Sequence, residues 1–257
     1  MYQNNRIAAI IPARDEAMSI QLVIAGLWRL NDTKGNHIID EIVVCDNGST
    51  DETASIAREA GAKVVKQTQP GYGIACLTAL AETSQADILL FIDGDNAFRA
   101  HEALPLIDSI ANGTDLAIGS RKLGNVEKYA LTTPQRFGNW LASSLIGMLW
   151  HKSVTDLGPF RAVSQEALQH LAMEDKAYGW TIEMQIKAIQ SGMTIKEYPV
   201  NTYRRLGKSK ISGTIKGTLG AGIGILSMIA RLRWRQFIQS KKKLNYPTTT
   251  GNHPLQF

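Results

Sequence analysis

The chain has 257 residues, 44% hydrophobic and 20% charged, which suits one large domain or a domain with an appendage and excludes wholesale disorder. Two cysteines, Cys45 and Cys76, without repeating spacing exclude a disulfide scaffold or cysteine zinc site; a polar start (residues 1–6) argues against a signal peptide, so a reducing, cytosolic setting is expected. The net charge of +5 hides an asymmetry: residues 1–197 carry 17 Lys/Arg against all 23 Asp/Glu, whereas residues 198–257 carry the other 11 basic residues and no acid.

Along the chain, short apolar runs at 7–11, 41–45, 63–65 and 88–92 read as buried strands. Helical patterns at 18–30, 51–60 and 74–81 fall between them, so an α/β fold with a mainly parallel sheet is expected. Ligands of such sheets bind beyond the C-terminal strand ends. Three polar loops follow those ends: Pro12-Ala13-Arg14-Asp15-Glu16, Asp46-Asn47-Gly48-Ser49-Thr50-Asp51 and Asp93-Gly94-Asp95-Asn96. Turns and caps are the plain alternative, and Ser49 with Glu52 fits a capping box. The Asp93-Gly94-Asp95 pair, directly after a buried strand, presents hard oxygen ligands suited to Mg²⁺ or Mn²⁺. Gly71-Tyr72-Gly73 precedes a helix and permits close backbone approach to a phosphate or base, but Cys76 stands where a dinucleotide motif needs its third glycine. No P-loop occurs, and the five histidines are scattered.

These loops, with Gly119-Ser120-Arg121, Pro134-Gln135-Arg136-Phe137-Gly138-Asn139, Asp156-Leu157-Gly158-Pro159-Phe160-Arg161, Gly179-Trp180-Thr181-Ile182-Glu183 and the run from Tyr203 to Lys210, resemble family 2 glycosyltransferases of the GT-A fold. More narrowly, the chain resembles their polyprenyl- or dolichyl-phosphate hexosyltransferase branch. Arg14-Asp15-Glu16 replaces the commoner aromatic-Asn-Glu, and the second strand ends Cys-Asp rather than Asp-Asp. The resemblance implies a GT-A catalytic domain at 1–212 that takes a UDP- or GDP-hexose. It assigns the donor to Pro12, Ala13, Glu16, Asp46, Gly71, Asp93, Gly94 and Asp95, with Asp93 and Asp95 holding Mg²⁺ or Mn²⁺.

Arg121, Arg136, Arg161, Arg204, Arg205 and Lys210 exceed what a metal-neutralised leaving group calls for. A second phosphate, on the acceptor, accounts for them, surface ion pairs being the alternative. A phosphate monoester is mostly deprotonated at neutral pH and needs no strong base. A hydroxyl acceptor would need Asp156 or Glu183 to take its proton. The expected catalytic set is therefore Asp156, Glu183 and Arg204, although a turn and a first-turn helix carboxylate are the plain readings of the two acids.

Two uncharged segments, 137–150 and 217–230, would make helices of about 21 Å, short of a bilayer's roughly 30 Å core. In the first, Phe137, Trp140, Leu141, Leu145, Met148 and Leu149 form a helical stripe. The second belongs to an expected amphipathic segment at 213–243, whose apolar face is Ile215, Leu219, Ile223, Leu226, Ala230, Trp234 and Phe237. With Arg231, Arg233, Arg235 and Lys241 to Lys243 beside it, this face suits an anionic membrane surface, with peripheral binding at the cytoplasmic side. Docking on the protein or a homo-oligomer contact are the alternatives. Residues 244–257 read as a flexible tail, and no nucleic-acid signature accompanies the basic charge.

Overall fold

The computed structural model describes residues 1–207 and a helix at 215–245, in which the side chains of 215–219, 221, 239, 240 and 242–245 are outside the description. Lys210, the expected boundary at 213 and the chain beyond 245 lie outside the described residues.

Strands β1 (Ile7–Ala13), β2 (Glu41–Asp46), β3 (Lys63–Lys66) and β4 (Ile88–Phe91) alternate with helices α1 (Ile20–Trp28), α2 (Thr53–Glu59) and α3 (Tyr72–Ala81), as the apolar runs predict. The second half adds α4 (Leu104–Ala111), β5 (Leu116–Ser120), α5 (Thr133–Trp150), β6 (Arg161–Ser164), α6 (Gln165–Leu171), α7 (Trp180–Gln190), β7 (Ile195–Pro199) and α8 (Ile215–Asn245). Among the described residues seven strands form one sheet in the order β3-β2-β1-β4-β6-β5-β7. Only β6 runs antiparallel to its neighbours.

Every residue of β1 is buried, because helices cover both faces of the sheet. Its alternation divides the core: Ile7, Ala9, Ile11 and Ala13 join α1 and α4 on one face, while Ala8 and Ile10 join α3, α6 and α7 on the other. The chain leaves β1 toward β2 and β3 on one side and returns to β4 on the other, so the strand order reverses between β1 and β4. A crevice opens at that reversal. Since β6 runs backwards, the segment preceding it shares this edge with the end of β5.

Helix α5 starts where Pro134 suggests, capped reciprocally by Thr132 and Gln135. The expected stripe of α8, however, is not its packing face, and that of α5 is split, since Leu145 and Leu149 pack against the core while others of its residues are exposed. Helix α5 buries Ala142, Ile146 and Trp150 and exposes Phe137, Trp140 and Met148; α8 buries Met228, Ile229 and Leu232 and exposes Ile223, Leu226, Trp234 and Phe237. The buried sets meet Ile182 and Ile186 of α7 in a third apolar cluster. Periodicity located each helix but could not rank two apolar faces. In α8 the docked face is further fixed by Trp150 Nε1 donating to Gln236 (2.9 Å) and an ion pair between Arg235 and Glu174 (2.9 Å).

Candidate active site

The loops after β1, β2 and β4 are knitted together at the crevice. Ser49 Oγ accepts from the Asp15 amide (2.9 Å), Asp15 accepts from the Thr50 amide (2.6 Å), and Thr53 Oγ1 accepts from the Glu16 amide (2.8 Å). Ser49 therefore braces the first loop and does not make a capping box; α2 has no side-chain cap. Pro12 and Ala13 pair in register with Cys45 and Asp46, so Asp46 emerges beside the first loop, its carboxylate accepting from the Ser49 amide (3.0 Å). Beneath the third loop, Ser19 Oγ donates to the Gly94 carbonyl (2.8 Å). A Cβ at Gly94 would lie 3.2 Å from Ile20 Cδ1, which favours glycine there.

Three carboxylates converge. Burial first, then the charge of Asp95, pushes Asp93 up to about 7, against the pull of Arg205, the Tyr72 hydroxyl and Arg121. Burial and Asp95 likewise raise Glu16 to about 7. Arg205 pairs directly with Asp95, whose other oxygen accepts from the Ala97 amide (2.9 Å). Arg205 thus faces these carboxylates, not a separate phosphate site. Arg205 supplies one counter-charge to this partly desolvated group, and the carboxylate oxygens also suit Mg²⁺ or Mn²⁺. Among the described residues no group of three or more His, Cys, Asp or Glu is placed to hold a metal. Asp93 and Asp95 fit an ion that takes its remaining ligands from a bound diphosphate.

The two glycines of Gly71-Tyr72-Gly73 make their close approach to the chain itself. A Cβ on Gly71 would lie 2.2 Å from the Lys176 carbonyl oxygen and one on Gly73 would lie 2.1 Å from that of Asp175. Gly71 also sits at φ +154, where few side chains are tolerated. Between them Tyr72 donates its hydroxyl to Asp93 Oδ1 (3.1 Å). Burial, followed by the charge of Asp93, keeps that phenol protonated well above its ordinary range.

On the other side of β4, a cavity of about 700 Å³ lies between α5 and the segment before β6. Arg121, Lys122, Arg136 and Lys152 line it, together with Leu131, Trp140 and Val154. Phe137 and Trp140, paired at 5.7 Å between ring centroids, are exposed on α5, and Trp140 also lines the cavity. Ser143, a further lining residue, has a buried hydroxyl with no partner among the described residues.

The expected arginine cluster divides. Arg136 is exposed and lines the cavity. Arg121 also lines it, but grips Asp156 through Nε (2.8 Å) and Nη2 (2.6 Å). Arg161 is fully buried and donates to the carbonyls of Leu157, Gly158 and Thr181, which removes it from any phosphate contact. Burial draws its guanidinium down to about 10, still charged at neutral pH. Arg204 is exposed, its amide donating to Glu127 (2.7 Å).

Neither candidate base is poised to accept a proton. Asp156 is buried, with both oxygens engaged by Arg121 and Oδ2 also taking the Arg121 amide (2.7 Å). Glu183 is equally buried, accepting from the amides of Glu174 (3.1 Å) and Asp175 (2.8 Å) and pairing with Lys187 (2.9 Å). The first orients an arginine; the second shapes a loop.

Sequence reasoning missed several participants. Asn47 links the second loop to the glycine turn, donating to the Gln67 and Gln69 carbonyls and accepting from the Gly71 amide (2.8 Å). Asn139 pins the segment before β6 through the Leu157 amide (2.9 Å). Tyr72 and Ser143 carried no pattern of their own, since a tyrosine between glycines and a serine in an apolar helix are both unremarkable until the fold surrounds them.

Comparisons with known proteins agree with this architecture. Residues 8–172 match the family model described as Glycosyl transferase family 2. An uncharacterised glycosyltransferase of Mycobacterium tuberculosis is 30% identical over 226 residues, covering 87% of this chain and 98% of that protein. A dolichyl-phosphate hexose transferase of Haloferax volcanii is 29% identical over 239 residues, covering 90% of this chain and 98% of that protein. Among solved structures, glucosyl-3-phosphoglycerate synthase of M. tuberculosis, in complex with Mn²⁺, UDP and glucosyl-3-phosphoglycerate, superposes with a TM-score of 0.70 at 24% identity, covering 88% of this chain and 81% of that one. This likeness establishes the GT-A fold.

Proposed function

The chain belongs to glycosyl transferase family 2 and is a glycosyltransferase; from that premise we propose that it moves a hexose from a UDP- or GDP-hexose to polyprenyl phosphate, with inversion at the anomeric carbon. The nucleoside lies against the Pro12–Glu16 loop and Asp46, and the diphosphate lies toward Asp93 and Asp95. Asp93 and Asp95 would hold a Mg²⁺ or Mn²⁺, which would supply Lewis-acid neutralisation of charge on the departing diphosphate. The solved neighbour with Mn²⁺ and UDP supports a divalent metal for this fold. Arg136 and the Asp156-oriented Arg121 hold the acceptor phosphate in the cavity. One phosphate oxygen bonds to the anomeric carbon as the bond from that carbon to the diphosphate oxygen breaks. The prenyl chain leaves over Trp140 and Phe137.

One observation carries the acceptor assignment. Both carboxylates that could deprotonate a hydroxyl, Asp156 and Glu183, are buried and already committed to Arg121 and to the 174–175 backbone. A phosphate needs neither, because it is its own nucleophile. The Haloferax volcanii relative, named a dolichyl-phosphate hexose transferase, points the same way. No described helix is long and apolar enough to cross a membrane. Access to a lipid acceptor would come from the exposed face of α8, where Ile223, Leu226, Trp234 and Phe237 lie beside Arg231, Arg233 and Lys241. That face suits peripheral binding at the cytoplasmic leaflet.

The test is a panel of UDP- and GDP-sugars incubated with Mn²⁺ and either a short polyprenyl phosphate or a hydroxyl acceptor, with products identified by mass. A hexosyl phospholipid product is expected. Transfer only to the hydroxyl acceptor would overturn the lipid assignment and leave the donor half standing.

A further inference from the structure

The segment at 172–179, between α6 and α7, touches both the glycine turn and α8. Gly73 and Ile74 donate their amides to the carbonyls of Ala177 (3.1 Å) and Lys176 (3.0 Å). Glu183 takes the amides of Glu174 and Asp175, and Lys187 donates to the Ala172 carbonyl (2.7 Å). From the far side, Gly224 of α8 lies against Tyr178, and Gly179 lies so close to Met228 that a Cβ would be 2.8 Å from its Cε. The turn carrying Tyr72 is therefore anchored on one side by this strap and on the other by Asn47.

We propose that Tyr72 is a positioning residue for Asp93, fixing the rotation of its carboxylate at the donor edge, and that the 172–179 strap is the mount that holds Tyr72 in place. The inference rests on the reading that Asp93 and Asp95 receive the donor diphosphate and its metal. Three observations support it. Tyr72 hydrogen-bonds Asp93 Oδ1 from the sheet face opposite α1, whereas the backbone of the loop carrying Asp93 is tied through the Gly94 carbonyl to Ser19 on the α1 side, so the loop is fixed from one side and its carboxylate from the other. The glycines flanking Tyr72 have no room for a side chain, and what fills that room is the strap's backbone. The buried Glu183, which has no access to a substrate, spends its hydrogen bonds on that same strap. A tyrosine with no positioning task would not need so constrained a mount.

The decisive variant is Tyr72→Phe, which keeps the ring and removes the hydroxyl. Mn²⁺ binding is measured by electron paramagnetic resonance on the full chain with UDP and with GDP, beside turnover and melting temperature. The expected result is a Mn²⁺ affinity weakened about tenfold, the order of one lost hydrogen bond to a charged group, while turnover at saturating Mn²⁺ falls no more than about threefold and the protein still melts in one cooperative transition. Gly73→Ala, which pushes the strap off the turn, should weaken Mn²⁺ binding in the same direction with the tyrosine still present. Wild-type affinity in Tyr72→Phe, alongside lost binding in an Asp95→Ala control, would overturn this inference alone. Wild-type affinity in Asp95→Ala as well would overturn the donor-edge reading and this inference together.

Discussion

The donor edge of the sheet and the layer formed by α5 and α8 are built on different principles. At the proposed donor edge, the candidate residues sit on loops anchored by strands that are buried on both faces, so one register places every loop. In the helical layer, the proposed acceptor and membrane contacts sit on faces of amphipathic helices, and each helix has two apolar faces competing for one core. Substitutions at the first should therefore act on chemistry with little change in stability. Those at the second should separate into folding effects on the inner face and surface effects on the outer one.

The largest expected effect is at the donor edge. Asp95→Ala should abolish transfer and metal-dependent donor binding while leaving the melting temperature within about a degree or two, because its partner Arg205 is partly exposed and can reach water. Full activity in excess chelator would break the metal assignment. Next comes Arg136→Ala, where loss of one charge-assisted contact to an acceptor phosphate costs about 2–4 kcal/mol, or roughly thirty- to a thousandfold in turnover. Arg161→Met should instead reduce stability, since three carbonyls lose a buried donor. If Arg161→Met folded normally but had lost only turnover, the division between these two arginines would be wrong.

Within the helical layer, Leu232→Ala should cost about 2–4 kcal/mol of stability, the usual range for emptying a buried leucine site, and chemical denaturation measures it. Trp234→Ser, on the outer face of the same helix, should change stability by no more than about 0.5 kcal/mol. Its effect belongs in liposome binding, which should weaken and be salt-sensitive in the parent chain. Equal liposome binding by the two proteins would assign that face to something other than a membrane.

The subtlest prediction concerns pH. Asp93 rises from an ordinary 3.8, and Glu16 from 4.5, each to about 7 in the folded protein. Between those values the native state holds more protons than the unfolded chain, so stability falls as pH climbs from about 4 to about 7. A metal-free melting series should show that decline, and Asp93→Asn should flatten it. Mn²⁺ with nucleoside diphosphate needs the deprotonated carboxylates, so its stabilisation should grow over the same rise.

Much of the donor edge was legible because its signals are local. A strand buried on both faces reads as a continuous apolar run, and the loop after it carries its own carboxylates, so residues 7–16, 41–51 and 88–96 announced the fold and the gathering of polar loops at one sheet edge. The glycine turn was legible as a place of close approach, but not what approaches it: the 172–179 segment is remote in sequence and carries no motif that points to residue 71. Charge counting likewise recognised an excess of arginine without sorting it. Whether a guanidinium meets a ligand, a carboxylate or a backbone carbonyl depends on burial and on neighbours brought together by chain reversal at β6. Arg136, Arg121 and Arg161 look alike in one dimension, and only the packed fold makes one exposed, one paired and one a structural pin. The amino-acid sequence by itself thus determined the alternation of strands and helices, the polar crescent at one sheet edge and the family. Tertiary structure alone decided which apolar face of α5 and α8 is buried, which carboxylates are already spoken for and which residue holds Asp93, because each of those outcomes is a competition between groups distant in the chain for the same buried space.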